Sequence, residues 1–169
     1  GLVIAPDRLL AKFTKNLEDV TRNLGCNSFS IAICANKKRT GQILRTHGID
    51  VPKEISSGKR VIKQIWGCGA MGVRLSDEPA GEGEFGQEYI EGEHYSMSLV
   101  GSRVVGETCL YYTGKGPLLL ALNRQHIRWN PNGAVTYLGG ETPVDHPRKH
   151  EIYAIVSKAI EVLGCQGYV

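Results

Sequence analysis

The sequence predicts an α+β fold in which helices near both ends flank a series of short antiparallel strands. Apolar residues recur with helical spacing in the first fifty and in the last twenty-five or so of the 169 residues. Between these regions, turn residues interrupt short strand-like segments at close intervals, which is typical of antiparallel sheets. Hydrophobic residues make up 41% of the chain and charged residues 22%, a composition that indicates a globular domain.

The first fifty residues are predicted to alternate strand and helix, as in an α/β layer. The predicted elements are, in order, a strand over 2–5, a helix over 7–24, a short apolar segment over 29–34 and a helix over 36–47. Asp7 and Asn36 are expected to cap the two helices, because short polar side chains accept hydrogen bonds from unpaired amides at helix starts. Gly25 and Gly48 are expected to end them.

The middle of the chain is predicted to be mostly strand. The predicted strands cover 60–66, 73–75, 84–90, 94–100, 103–112, 118–122, 127–129 and 134–138. A final helix is expected to begin near Asp145 and Pro147 and to end near Leu163, because apolar residues form one stripe along it. The chain opens on an apolar run and closes as a strand is about to begin, so we expect the sequence to be part of a longer one.

Charge and cysteine content narrow the classes of function. The net charge is +3 and the basic residues are scattered, so no nucleic-acid groove is expected. No apolar window is long enough to span a bilayer, so we expect no membrane partner. The five cysteines form no CxxC pair, which indicates reduced thiols and a cytoplasmic protein. Association into a homo-oligomer is left open.

A glycine-rich segment over 67–72 matches the pattern G-x-G-x-x-G. A dinucleotide site would need a helix directly after it, but residues 73–75 are strand-like. A Walker-type phosphate loop would need Gly-Lys-Ser/Thr, which is missing from the sequence. The remaining interpretations are a plain turn between strands and a flap whose backbone amides approach phosphate oxygens. Cys68 lies inside this segment, either as a reactive thiol or as a small residue that the loop tolerates.

Lys63 precedes the glycine segment by four residues, on the strand that leads into it. Protein kinases carry their phosphate-binding lysine on the strand after the flap, and this sequence has no kinase catalytic segments. A solvent-exposed lysine on an edge strand is one interpretation. Because Lys63 lies between Ile62 and Ile65 in a largely apolar strand, a phosphate-binding role is favoured over that alternative.

The order of several motifs resembles the ATP-grasp ligase family. The motifs are NKKRT with GIDVP within 36–52, VIK at 61–63, the glycine segment 67–72, QEYIEGEHYS at 87–96, LNRQ at 122–125 and YLGGETP at 137–143. The later motifs resemble a small archaeal-type branch that includes tyramine–L-glutamate ligase and the pyrrolysine-pathway ligase. Three positions depart from the family pattern: Asn36 stands where Asp is usual, Gln64 stands where Pro is common, and His94 stands where the family has the Glu that meets the ribose.

The resemblance implies an ATP-dependent carboxylate–amine ligase that works through an acyl phosphate, with ATP and Mg²⁺ as cofactors. It assigns phosphate contacts to Lys37, Lys63 and the amides of Gly67, Cys68, Gly69, Ala70, Met71 and Gly72. It assigns adenine contacts to the backbone around Glu88, Tyr89 and Ile90. Either Glu93 or His94 would meet the ribose, and Glu93 is preferred. Arg124 would face the reacting phosphoryl group or the substrate carboxylate, or is a surface charge.

The resemblance also implies a division of the chain. Residues 1–35 would end a Rossmann-like pre-ATP-grasp domain, 36–92 would form a small subdomain with the lysine and flap, and 93–169 a larger one that is incomplete at its C-terminus. The family binds magnesium through acidic residues that end in an E-x-N segment, so no metal ligand is assigned within this sequence.

His146 and His150 have helical spacing but no third zinc ligand, which favours a polar helix start. A nucleotide-binding protein without turnover, and a generic α+β binding module, are the alternatives.

Overall fold

A computed structural model of the chain describes residues 7–67, 69–101, 104–105, 108–109 and 116–169. The helices are α1 (Asp7–Glu18), α2 (Ser28–Ala35), α3 (Lys37–Thr46) and α4 (Lys149–Val162). The strands are β1 (Arg60–Gln64), β2 (Arg74–Ser76), β3 (Glu84–Glu88), β4 (His94–Gly101), β5 (Val104–Val105), β6 (Thr108–Cys109), β7 (Leu118–Trp129), β8 (Val135–Glu141) and β9 (Gly167–Tyr168). The α+β content and the antiparallel pairing of the strands are confirmed.

The first helix ends earlier than its apolar spacing predicts, at Glu18 rather than near residue 24. Asn23 accepts a hydrogen bond from the Gly25 amide at 2.9 Å and donates to the Cys26 carbonyl at 2.8 Å. Such local side-chain bonds give the backbone an alternative to continuing the helix. The predicted strand over 2–5 lies outside the described residues.

The apolar segment 29–34 was predicted to belong to an alternation of strand and helix. Its prediction as a strand is wrong, because the segment belongs to helix α2. Asn27 caps this helix by accepting a hydrogen bond from the Ser30 amide at 2.8 Å. A short apolar run does not by itself distinguish a buried strand from a buried helix, and here the capping residue before it decides. The second predicted helix is confirmed as α3, with Asn36 as its cap and Gly48 in the left-handed region at φ +69°.

A small antiparallel sheet has the order β2-β1-β3. The pleat of its central strand β1 directs alternate side chains to opposite faces. Ile62 is fully buried in the core on one face, and Lys63, the next residue, points to the other. β1 therefore places a charged side chain directly beside the most buried position of the small sheet.

A larger antiparallel sheet has the order β8-β7-β4-β9. The strands predicted separately over 118–122 and 127–129 are one strand, β7, whose register with β8 shifts between His126 and Ile127. This bulge explains why the alternation of the sequence is interrupted there. Leu99 and Leu122 fill the core of the sheet, and α4 contributes Ile160. Of the strand predicted over 103–112, only β5 and β6 lie within the described residues.

The two sheets meet where β2 contacts the turn between β7 and β8. The Leu75 amide donates to the Gly133 carbonyl at 2.8 Å, and the Val135 amide donates to the Val73 carbonyl at 3.4 Å. Gly133 has φ +80°, and a Cβ at this position would overlap the Leu75 carbonyl oxygen. Only glycine permits both this backbone conformation and this approach.

The carboxylate of Glu84 connects the strands of the small sheet. It accepts two hydrogen bonds from Arg74, at 2.6 and 2.9 Å, one from the Gln64 amide group at 3.0 Å and one from the Gly81 backbone at 2.9 Å. The Arg74 hydrogen bond, and then the Gly81 hydrogen bond, lower the pKa of Glu84 to about 2. Residues from β1, β2 and the turn before β3 are thereby held by one side chain.

No helix among the described residues is long and apolar enough to cross a bilayer.

Replacing Gly133 with Ala is expected to lower the free energy of unfolding by more than about 1 kcal/mol, because φ is positive and the new methyl would clash with the Leu75 carbonyl. Gly58→Ala is the matched control, since Gly58 has φ +77° but a Cβ added there would have no atom within 4 Å. Urea denaturation of both variants measures the difference. Equal losses in the free energy of unfolding of the two variants would contradict a close contact between residue 133 and Leu75.

Replacing Glu84 with Gln is expected to lower the free energy of unfolding by about 2 kcal/mol at neutral pH, since charge-assisted hydrogen bonds are lost. The pKa of Glu84 is about 2 when folded and about 4.5 otherwise. The stabilisation is therefore present above pH 4.5 and is lost as the pH falls toward 2. Urea denaturation of both proteins across this range should show their difference shrinking; a pH-independent difference would contradict the prediction. Glu151→Gln, which breaks an exposed pair with Arg148, should have a much smaller effect.

Candidate functional site

Lys63 is a half-buried cation whose partner is a neutral amide. Its ammonium group donates a hydrogen bond to the Gln87 side-chain oxygen at 2.8 Å. Burial lowers the pKa of Lys63, and the positive charge of Lys37 lowers it further. Gln87 is itself buried, and its amide nitrogen donates to the Pro52 carbonyl at 3.2 Å, which fixes the orientation of its oxygen. A desolvated ammonium beside a second cation favours the approach of an anion.

Lys37 is brought to the same place by helix α3. The Lys37 amide donates to the Ile65 carbonyl at 3.0 Å, and Asn36 forms an antiparallel bridge with Trp66. These bonds join the start of α3 to the end of β1. The ammonium group of Lys37 then reaches the Gly67 carbonyl. Two of the predicted phosphate-binding residues and the first glycine of the loop are therefore neighbours.

The glycine loop has a backbone that few residues other than glycine adopt. Gly69 and Gly72 have φ of +63° and +70°, and Ala70, at +59°, is also left-handed. The Val73 amide donates to the Ala70 carbonyl at 3.1 Å, which closes a tight turn. The side chain of Met71 is 69% exposed at the tip. Cys68 lies outside the described residues, so its predicted role is untested.

Gln64 packs beneath this loop at the position where the family commonly has proline. A Cβ on Gly72 would lie 3.2 Å from the Gln64 Cγ atom, and one on Gly67 would lie 3.6 Å from its Cβ atom. The Gln64 amide group also donates to Glu84, as described above. The departure from the family pattern therefore links the strand beside the loop to Glu84 through an amide side chain, which proline does not have.

The predicted adenine segment begins at the end of β3. The Glu88 amide donates to the Lys53 carbonyl at 2.9 Å, and its carboxylate accepts from the Lys53 amide at 2.8 Å. Tyr89 packs edge-on against Trp129 of β7, with ring centroids 6.1 Å apart. Ile90 is 58% exposed and presents an apolar surface. The Glu88 amide is already bonded within the protein. Adenine recognition by this segment therefore stays a prediction, and it concerns chiefly Tyr89 and Ile90.

Glu93 and Arg124 form an ion pair with each other. The Tyr95 hydroxyl donates to the Glu93 carboxylate at 2.7 Å, and the pKa of Glu93 is lowered by this bond and then by Arg124. The structure thus brings together the residue predicted for the ribose and the residue predicted for catalysis. His94 is exposed and lies opposite Gln125 in the strand register. The individual roles of these residues stay predictions.

Three residues around the lysine were absent from the sequence prediction of the site: Gln64, Glu84 and Gln87. Their importance depends on pairing between strands that are about twenty residues apart in the chain. A weak signal did exist for Gln87, because it lies two residues after Phe85 in the predicted strand 84–90, on the same face, where another apolar residue would be expected. Across the described ranges, no group of three His, Cys, Asp or Glu residues could hold a metal ion.

A family model for the ATP-grasp domain matches residues 34–169. Tyramine–L-glutamate ligase from Methanocaldococcus fervens is 34% identical over 173 residues, which cover 100% of this chain and 52% of that protein. The chain therefore spans about half the length of the curated relatives it matches.

Solved structures agree with this match. An ATP-grasp superfamily protein from Archaeoglobus fulgidus aligns with a TM-score of 0.77 and 30% identity over 99% of this chain and 50% of that chain. D-Alanine–D-alanine ligase from Bacillus anthracis aligns with a TM-score of 0.67 and 18% identity over 92% and 57%, which shows the fold alone. The predicted ATP-grasp fold is confirmed, whereas the Rossmann-like remnant and the domain division stay predictions. The chain belongs to the ATP-grasp family.

Proposed function

We propose that the chain is the nucleotide-binding part of an ATP-dependent carboxylate–amine ligase. The observation that carries the proposal is the half-buried Lys63 ammonium, bonded to a neutral amide and placed beside Lys37 and the glycine loop. Within the described part of the chain neither cation is paired with a carboxylate, so a polyphosphate would complete the site. An anion there favours the charged form of Lys63, which burial otherwise disfavours.

In the proposed reaction, an oxygen of the substrate carboxylate attacks the γ-phosphorus of ATP and ADP leaves. The product is an acyl phosphate. The nitrogen of an amine then attacks the carbonyl carbon, loses a proton, and displaces inorganic phosphate. In phosphoryl transfer the protein contributes mainly position and charge neutralisation. Lys63, Lys37 and the amides of the glycine loop supply both, and the support of Gln64 keeps the loop in place.

Arg124 is proposed to act at the reacting end of the nucleotide. Its guanidinium matches a carboxylate or a phosphoryl group through two parallel hydrogen bonds. In the protein alone Arg124 pairs with Glu93. A substrate carboxylate would compete with Glu93 for the same donors, and Glu93 would then be free to accept a hydrogen bond from the ribose. We propose that magnesium binds together with ATP, and we assign no residue to it.

The relatives support the substrate class. The name of tyramine–L-glutamate ligase gives an amine and an amino acid as the compounds joined. We propose an amino-acid-like carboxylate for this chain, with L-glutamate and tyramine as the first pair to test. The alternative is an ATP-binding protein that does not turn over.

Replacing Lys63 with Ala is expected to weaken ATP binding roughly tenfold to a hundredfold, because a charge-assisted contact with phosphate is lost. Calorimetry with ATP and magnesium measures the change. Lys15→Ala is the matched control, since it removes the same charge from an exposed pair with Asp19 on α1. ATP binding that is equally tight in both variants would refute the phosphate role of Lys63.

Ligation through an acyl phosphate should transfer one carboxylate oxygen to phosphate. With ¹⁸O-labelled L-glutamate, tyramine, ATP and magnesium, we expect labelled inorganic phosphate alongside ADP and amide, detected by mass spectrometry. A panel of further amino acids and amines extends the test to other substrates. ATP binding without ADP formation across the panel would contradict ligation and support the alternative.

A further inference from the structure

Three thiols from separate parts of the chain meet at one place. Cys34 lies in the last turn of α2, and Cys165 lies between α4 and β9. Their sulfur atoms are 3.7 Å apart, although 131 residues separate them in the sequence. Cys26, just before α2, donates a hydrogen bond through its sulfur to the Gln166 carbonyl at 3.1 Å and accepts one from the Gln166 amide at 3.2 Å.

The packing around these thiols sets their separation. Ser30 is buried on α2 and donates to the Gly164 carbonyl at 2.8 Å. A Cβ on Gly167 would lie 3.0 Å from both the Gly25 Cα atom and the Leu24 carbonyl oxygen. Residues 164–167 are thus held against the segment 24–30 by close contacts on both sides of Cys165. The approach of Cys34 to Cys165 follows from this packing and does not depend on the two side chains alone.

We propose that Cys34 and Cys165 form a redox modification site, at which a peroxide converts the two thiols into a reversible disulfide bond. A disulfide requires the sulfur atoms to be about 2.05 Å apart, so they must approach by less than about 2 Å. All three cysteines of the cluster are reduced thiols in the structure. Cys34 is exposed, and Cys165 lines an open cavity of about 240 Å³, so a small oxidant can reach both.

The two thiols differ in pKa, and this difference determines which sulfur reacts first. A hydrogen bond with Cys165 lowers the pKa of Cys34. A hydrogen bond with Cys26 lowers the pKa of Cys165, but the hydrogen bond with Cys34, burial and the charge of Cys34 together outweigh it and raise that pKa to about 11. Cys34 is therefore the attacking thiolate. Its sulfur attacks one oxygen of hydrogen peroxide and the O–O bond breaks. The departing hydroxide takes up the proton that the Cys34 thiol had lost, so that a sulfenic acid and water form. The Cys165 sulfur then attacks the sulfenic sulfur, and the hydroxyl leaves with the Cys165 proton as a second water.

The disulfide would join two regions that move apart when the chain unfolds. Cys34 is three residues before Lys37, and Cys165 is two residues before β9, an edge strand of the larger sheet. A cross-link between them closes a long loop and reduces the entropy of the unfolded chain. The oxidised protein should therefore have a higher Tm than the reduced protein.

The test is oxidation of the wild-type chain with stoichiometric hydrogen peroxide, followed by alkylation, proteolysis and mass spectrometry. We expect a Cys34–Cys165 cross-linked peptide that dithiothreitol removes, and a rise in Tm on oxidation. Before oxidation, alkylation of Cys34 should be faster than that of Cys165 by roughly tenfold or more. Cys34→Ser and Cys165→Ser should lose both the cross-link and the rise in Tm, whereas the control Cys109→Ser should keep them.

The experiment also separates the proposal from its competitors. A wild-type cross-link through Cys26 would overturn the assigned pair, as would loss of the Cys34–Cys165 peptide in a folded Cys26→Ser variant. Oxidation of Cys34 to sulfinic acid without any cross-link would overturn the disulfide itself. Because the wild-type measurement needs no substitution, a variant that fails to fold does not affect the conclusion.

Discussion

The candidate site depends on the position of β1, the central strand of the small sheet. β1 is paired on both sides, with β2 and with β3, and its far end is bonded to the start of α3. The lysine that faces the site is next to a side chain that is completely buried, so the strand cannot rotate or shift by one residue without exposing Ile62. The hydrophobic core thereby determines where the cation of Lys63 lies.

Polar contacts then fix the position of the site residues more closely than the hydrophobic core does alone. The Glu84 carboxylate binds groups from β1, from β2 and from the turn before β3, and Gln64 extends this network to the glycine loop. Gln87 holds the Lys63 ammonium from the side of β3. These amides and carboxylates position the site without carrying a reacting group. Residues in left-handed backbone conformations persist only where the surrounding structure holds them, and this network surrounds the loop.

Contacts between the sheets connect the lysine and glycine loop to the region of Arg124. The Leu75–Gly133 hydrogen bond joins β2 to the β7–β8 turn, and Tyr89 packs on Trp129 at the end of β7. The Glu93–Arg124 pair lies at the start of β4 and within β7, in the larger sheet. A nucleotide that contacts both the loop and Arg124 would therefore bridge two sheets that these backbone bonds and this aromatic pair join.

Several features follow from local sequence and were predicted correctly. The cap Asn36 and the antiparallel strands depend on nearest neighbours and on spacing, which a sequence states directly. Where local signals compete, the prediction was wrong: the apolar run 29–34 fits strand and helix alike, and the apolar spacing of 7–24 continues past Glu18, where the helix ends.

The sequence by itself determined the family resemblance, the α+β class with antiparallel strands, and the choice of Lys37, Lys63 and the glycine loop as candidate phosphate ligands. Only the tertiary structure decided what those residues touch: Gln87 against Lys63, Glu93 against Arg124, and Cys34 against Cys165. The physical reason is that these contacts join residues 24 to 131 positions apart. Strand register and helix docking bring them together, and no local pattern of side chains encodes which distant partner a residue meets.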